Sequence, residues 1–163
     1  VTLGRKLGDV ISQGEIVVRL LIAAAFGALL GLERERKDQP AGLRTFILVA
    51  VGSCLFALVS AFGFDDFTGE SSDQAVRADV TRISSQIVVG IGFLGGGTIL
   101  RYGGMVRGLT TAAGLWVTAA VGLAVAMGFW VGASAAVLLT LISLVIKPLE
   151  KRLRRASGNE EAG

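Results

Sequence analysis

The chain contains no histidine and a single cysteine, Cys54. Zinc sites built on Cys and His and every His-based catalytic triad are thereby excluded, and an intrachain disulfide is impossible. Acidic residues are also missing over a long stretch, since neither Asp nor Glu occurs from Val80 through Leu149. Within that stretch VVGIGFLGGGTILRYGG, 88–104, places Gly90, Gly92 and Gly95 at the G-x-G-x-x-G spacing of a dinucleotide-binding turn. Such a turn needs an acidic residue about 20 positions further on to hold the ribose. None is there, and a phosphate cradle is discarded. Ser53, Ser84, Ser85 and Ser143 have no base nearby in sequence and read as small residues that satisfy helix carbonyls or pack closely. A protein that is not an enzyme is expected.

What the chain has in abundance is apolar residues and glycine. Hydrophobic residues make up 52% of it, 23 of 163 residues are Gly, and the mean hydropathy is +0.66. That glycine share is about twice the usual one in soluble proteins. Small residues are tolerated in lipid, where they let helix backbones approach closely. Crossing the hydrocarbon takes about 20 apolar residues, and the stretches 16–32, 45–64 and 83–100 suit one span each. From Leu109 to Ile146 no charge interrupts 38 residues. As one helix this run would reach about 57 Å, roughly twice the bilayer core, so it must fold back. The break is expected at AMGFW, 126–130. The fold class expected is all-α, a polytopic membrane protein with five transmembrane helices.

Lys and Arg set the orientation. Arg34, Arg36, Lys37, Arg44, Arg101, Arg107, Lys147, Lys151, Arg152, Arg154 and Arg155 fall on one side of a five-span layout, against Arg5, Lys6, Arg77 and Arg82 on the other. The positive-inside rule puts the N-terminus outside and the C-terminus in the cytoplasm. A cleaved signal peptide is the rival reading of the first segment, but Arg19 interrupts its apolar run and the denser basic cluster follows it. The expected division is an external segment over 1–15, a five-helix membrane domain over 16–150, and a basic, then flexible, cytoplasmic tail over 151–163. The net charge of +3 and pI near 9.5 serve topology and anionic lipid; no nucleic-acid partner is expected.

Polar residues at the span edges carry most of the remaining information. After the first span, FGALLGLERERKDQPAGLRTFILV mixes Glu33 and Glu35 with Arg34, Arg36 and Lys37. Lys and Arg alone would set topology, so the glutamates suggest a paired network. Before the third span, Asp79, Arg82, Gln86, Gly90, Phe93 and Gly97 recur at steps of three and four and share one helical face. Arg82 is expected to pair with Asp79 and to hold Gln86 towards the bundle interior. Asp65, Asp66, Glu70 and Asp73 make the preceding loop acidic, and its field should concentrate cations. In VRGLTTAAGLW, Arg107 stands beside Thr110 and Thr111.

The segments GLERERKDQPAGLRTFILVAVGS, DVTRISSQIVVGIGFLGGGTIL and VRGLTTAAGLWVTAAVGL, in order and at matching spacing, resemble the membrane domain of the MgtC/SapB family over about residues 16–150. Through the resemblance, the family's acidic–basic pair falls on Glu33 and Arg34 and its G-L-R-T on Gly42, Leu43, Arg44 and Thr45. Its aspartate, arginine and glutamine fall on Asp79, Arg82 and Gln86, and its R-G-L-T-T on Arg107, Gly108, Leu109, Thr110 and Thr111. The chain departs at Phe46, where members commonly carry His. Members often continue into a cytoplasmic regulatory domain, which the tail KPLEKRLRRASGNEEAG does not enter.

The resemblance implies an inner-membrane protein of bacteria tied to growth in low magnesium and, in one branch, to restraint of the proton-driven ATP synthase. Many members are nevertheless labelled magnesium transporters. Two function classes therefore stay open. One is a regulatory protein that binds another membrane protein or its own copy; the other is a cation transporter or channel. Mg²⁺ wants oxygen ligands at near-octahedral geometry, and all 13 acidic residues lie outside the spans or at their edges, which leans against an all-protein cage in mid-membrane. A hydrated ion could still follow a path lined by Gln86, Thr98 and freed carbonyls. No cofactor is expected, with Mg²⁺ kept as regulator or cargo. Ala23, Gly27 and Gly31 in the first span, and Gly92 and Gly96 in the third, form small-residue strips, and Gly90 and Gly97 share the third helix. These mark close helix contact, and a homo-oligomer, most simply a dimer, is expected.

Overall fold

The computed structural model describes residues 11–62 and 82–158. Helix α1 spans Gln13–Glu35. It starts at Ser12, whose Oγ accepts from the Glu15 N–H at 3.1 Å, so that S-Q-G-E has the spacing of a capping box. Helices α2 (Leu43–Phe62) and α3 (Arg82–Gly97) follow, then strands β1 (Leu100–Tyr102) and β2 (Met105–Arg107), helix α4 (Leu109–Ala126) and helix α5 (Trp130–Gly158). The long apolar run breaks where its length required. Helix α4 ends at Ala126, Gly128 takes φ +71°, and α5 begins at Trp130.

Three of these helices, α1, α2 and α4, are long and apolar enough to cross a membrane, and Ser84–Gly97 and Trp130–Leu144 are shorter apolar helical stretches. The segment expected to span over 83–100 is cut short. Helix α3 ends at Gly97, three residues before the expected end. Its end is local chemistry: three successive glycines, 95–97, are poor helix formers. Thr98 then turns back, its Oγ1 donating to the Gly95 carbonyl at 2.8 Å. The stretch 101–108, expected as a plain loop, is largely a β-hairpin, the one departure from a helical chain among the described residues.

Helices α1, α2 and α4 form the centre, with α3 against α2 and α4, and α5 against α4 and α1. Small residues set the spacing. A Cβ placed on Gly27 would lie 2.7 Å from the Phe46 carbonyl oxygen, one on Gly31 would lie 2.8 Å from Leu43 Cα, and one on Gly122 would run into the Ala50 carbonyl. Helix α2 is therefore clamped between glycine faces of α1 and α4. Phe46, Ala50, Cys54, Leu115 and Val125 are wholly buried there. The outward side chains are also apolar, with Leu48, Phe93 and Val131 among the most exposed. A surface of that kind calls for lipid rather than water.

Candidate functional site

The packing contacts bring one set of helix ends together. Gly31 sits on Leu43 and Phe46, Phe46 reaches Gly114, and Gly95 lies on Ala112. The C-terminus of α1, the N-terminus of α2, the C-terminus of α3 and the N-terminus of α4 thus share one end of the bundle. Glu33, Arg34, Arg44, Thr45, Arg107, Thr110 and Thr111, singled out in three separate motifs, all belong to that end.

Its centre is an ion cluster on the last turn of α1. Arg34 is 3% exposed and donates from Nε to Glu33 Oε2 at 2.5 Å. Lys37 Nζ pairs with the other oxygen of Glu33 and donates to the Leu144 carbonyl at 3.1 Å, which ties α5 to the same end. Burying a guanidinium costs several kcal/mol unless it is paired, and Glu33 supplies the pair. Glu35 plays another part: its Oε2 accepts from the Leu43 N–H at 2.9 Å, placing a carboxylate at the positive end of α2. Arg44 and Thr45 are exposed on the first turn of α2. Thr111 is wholly buried, and its Oγ1 has no hydrogen-bond partner among the described residues. Phe46, the departure from the family pattern, fills the space between α1 and α4 with its ring against Gly114.

Of the second expected cluster only Gln86 has a described side chain. Asp79 and the acidic residues Asp65, Asp66, Glu70 and Asp73 lie outside the described residues, and Arg82 opens α3. Gln86 does not turn to the bundle interior as expected. It is exposed and lines a groove of about 620 Å³ between α2 and α3, together with Thr45, Ser53, Phe56, Gly90 and Leu94. The reason is the phase of α3: Ile91 and Gly95 are buried while Phe93 is 85% exposed, so the face shared by positions 86, 90, 93 and 97 points away from α4. Among the described residues, no three of His, Cys, Asp and Glu gather as a group that could hold a metal ion.

The glycine strips divide in the same way. Gly27 and Gly31 are used inside the chain, between α1 and α2, whereas a Cβ on Gly90, Gly92, Gly96 or Gly97 would meet nothing within 4 Å. The expectation of close contact at these four is not met among the described residues, because α3 turns them away from α4.

Sequence reasoning passed over the opposite end of the bundle. Arg19 donates from Nε to Glu15 Oε1 at 3.1 Å and from Nη1 to the Ala126 carbonyl, and it lies 5.8 Å from the Trp130 ring centroid. It closes the C-terminus of α4, whose last carbonyls lack helical partners. The signal was present as Glu15 and Arg19 at i, i+4 in an apolar run. The carbonyl it caps lies 107 positions away, which no local pattern announces.

A model of the MgtC family matches residues 20–153. YhiD of Escherichia coli K12, which carries the provisional name of magnesium transporter, is 45% identical over 109 residues, 67% of this chain and 49% of its own. SapB of Bacillus subtilis is 40% identical over 138 residues, 82% of this chain and 57% of its own. MgtC of Salmonella paratyphi A is 39% identical over 147 residues, 90% of this chain and 58% of its own. The chain thus spans about half the length of these relatives. No solved structure matches it.

Proposed function

The chain belongs to the MgtC family, and from that premise we propose that it is a multi-pass protein of the bacterial inner membrane that regulates adaptation to low magnesium by binding other membrane proteins. It is not an enzyme on this reading and needs no cofactor; Mg²⁺ acts as a regulator. The five helices cross the bilayer with the N-terminus outside, which puts the Glu33–Arg34–Lys37 end in the cytoplasm. A proton-driven ATP synthase is one partner of the kind this reading takes, and a second copy of the chain is another.

One observation carries the proposal: the Glu33–Arg34–Lys37 cluster sits at one end of the bundle while apolar side chains fill the seam between α1, α2 and α4. Ala23, Phe46, Ala50, Leu115 and Val121 are all almost fully buried between α1, α2 and α4, and Thr118 bonds its own helix at the Gly114 carbonyl, 2.7 Å away. A closed middle with a charged end suits recognition better than conduction. The four outward glycines of α3 supply a close-approach surface for a second copy, most simply in a dimer.

Transport is the second reading. What favours it is the groove between α2 and α3, where Thr45, Ser53 and Gln86 add polar groups to an apolar wall. Purified protein in liposomes, assayed for flux of Mg²⁺ and monovalent cations, separates the two. No flux is expected from the parent. A Mg²⁺ flux that Arg44→Ala abolishes would replace regulation by transport.

A further inference from the structure

The hairpin between α3 and α4 is built to hold a defined shape. Its strands are antiparallel, pairing Leu100 with Arg107, Arg101 with Val106 and Tyr102 with Met105. Gly103 and Gly104, both with positive φ (52° and 88°), make the two-residue turn whose twist suits such a hairpin. At its base Gly108 has φ +90° and lies so close to the Thr98 carbonyl that any Cβ would collide with it. The two feet of the hairpin are therefore fixed against each other, one residue from α4 and two from α3.

What it presents is two cations set among exposed apolar side chains. Cross-strand partners share a face and successive residues alternate, so Leu100, Met105 and Arg107 lie on one face and Arg101 and Val106 on the other. Met105 is 63% exposed and Val106 50%. Neither the Arg101 nor the Arg107 side chain has an ion-pair or hydrogen-bond partner among the described residues, and no acidic residue occurs in sequence from Val80 through Leu149. Exposed aliphatic side chains are unfavourable in water, and unpaired guanidiniums are unfavourable in hydrocarbon. A layer that offers both environments satisfies them together.

We propose that the 100–107 hairpin is a lipid-binding element that stands in the headgroup layer with lipid against both faces, Arg107 beside Leu100 and Met105 on one and Arg101 beside Val106 on the other, so that each guanidinium takes the phosphate of an anionic lipid while the apolar side chains of its own face meet the acyl chains. The inference rests on the membrane reading above. Three-residue strands reach about 10 Å from the helix ends, and the headgroup layer is about 5–8 Å deep on each side. The tip cannot travel far from the surface that α3 and α4 enter. Arginine matches phosphate through paired N–H donors, and anionic lipid attracts basic segments beside a span.

The test uses the full chain carrying Cys54→Ser and Met105→Cys, labelled at position 105 with a polarity-sensitive fluorophore and reconstituted in phosphatidylcholine vesicles with or without phosphatidylglycerol. Quenching by acrylamide, a neutral solute, should be several-fold weaker in the anionic vesicles. That protection should fall in high salt and be lost with Arg101→Gln and Arg107→Gln together. Inorganic phosphate added to phosphatidylcholine vesicles should give no protection. Equal quenching in the two lipids, protection indifferent to salt and to the arginines, or protection by free phosphate would each overturn the proposal. Flotation after alkaline extraction separates the two levels: a chain that stays with the vesicles but shows no protection ends the hairpin proposal alone, and one that is extracted ends the membrane reading with it.

Discussion

Glu35 accepts a hydrogen bond at 2.9 Å from the N–H of Leu43, eight positions further on, and Gly42 leaves the room for it. A Cβ on Gly42 would overlap Glu35 Oε2. The carboxylate is the far end of a flexible side chain, so it would swing away rather than force the backbone, and α2 would lose its cap. Gly42→Ala should therefore cost about 1 kcal/mol, the scale of a lost N-cap, and Glu35→Ala should cost about the same. Because both changes remove one interaction, the double variant should melt close to either single one in detergent. Additive losses would show that Gly42 has a separate role.

The glycines separate fold from association. Gly122→Ala drives a methyl into the Ala50 carbonyl and towards Cys54 N, 3.1 Å away, and should destabilise by about 1–3 kcal/mol, as overpacking does. A Cβ on Gly92 or Gly96 meets nothing within 4 Å among the described residues, and Gly92→Leu and Gly96→Leu should leave the melting temperature of the monomer unchanged. If α3 is the seam between copies, mass measurement in nanodiscs should show those two variants shifted to monomer. A dimer that survives both leucines would move the seam off α3.

Arg19 joins the first helix to the α4–α5 turn. Arg19→Ala removes a charged hydrogen bond to the Ala126 carbonyl and the contact with Trp130, and should lower stability by about 2 kcal/mol. Glu15 is half exposed, so Glu15→Ala should cost well under 1 kcal/mol. The local consequence should be opening of the turn: a cysteine at Met127, in a Cys54→Ser background, should react faster with a maleimide in the Arg19 variant. Equal labelling rates would mean that the turn holds without its cap.

How much of this could be read from the chain depends on the range of each cause. The break at 126–130 was legible because a 38-residue uncharged run cannot fit one bilayer crossing. The convergence of LERER, GLRT and RGLTT on one end was legible in part, since five spans in alternation force those loops to one side. The hairpin was not, because strands of three residues around Gly103–Gly104 lack the alternation that marks a strand. The small residues of α1 and α3 look alike in sequence, yet Gly27 packs on α2 and Gly92 on nothing. The phase of α3 against α4, set by Ile91 and Gly95, decides that, and spacing alone does not contain it.

Thr111 gives the most direct separation of stability from role. Thr118 and Thr140 return their hydroxyls to the carbonyl four residues back in their own helices, Gly114 and Ala136. Thr111 cannot do so in the same way. Helix α4 begins at Leu109, so the carbonyl four residues back belongs to Arg107 in β2, outside the helical ladder. Its hydroxyl is left buried and without a partner among the described residues. Valine has the same shape without the hydroxyl, and Thr111→Val should leave stability equal or raise it by about 1 kcal/mol, since an unmet polar group disappears. Thr111→Ser keeps the hydroxyl, loses a methyl and should cost about 1 kcal/mol. If the charged end of the bundle is the working surface, function should follow the hydroxyl and not the stability. In cells grown in limiting magnesium, the serine variant should support growth and the more stable valine variant should not. Growth that tracks melting temperature instead would reduce Thr111 to a packing residue.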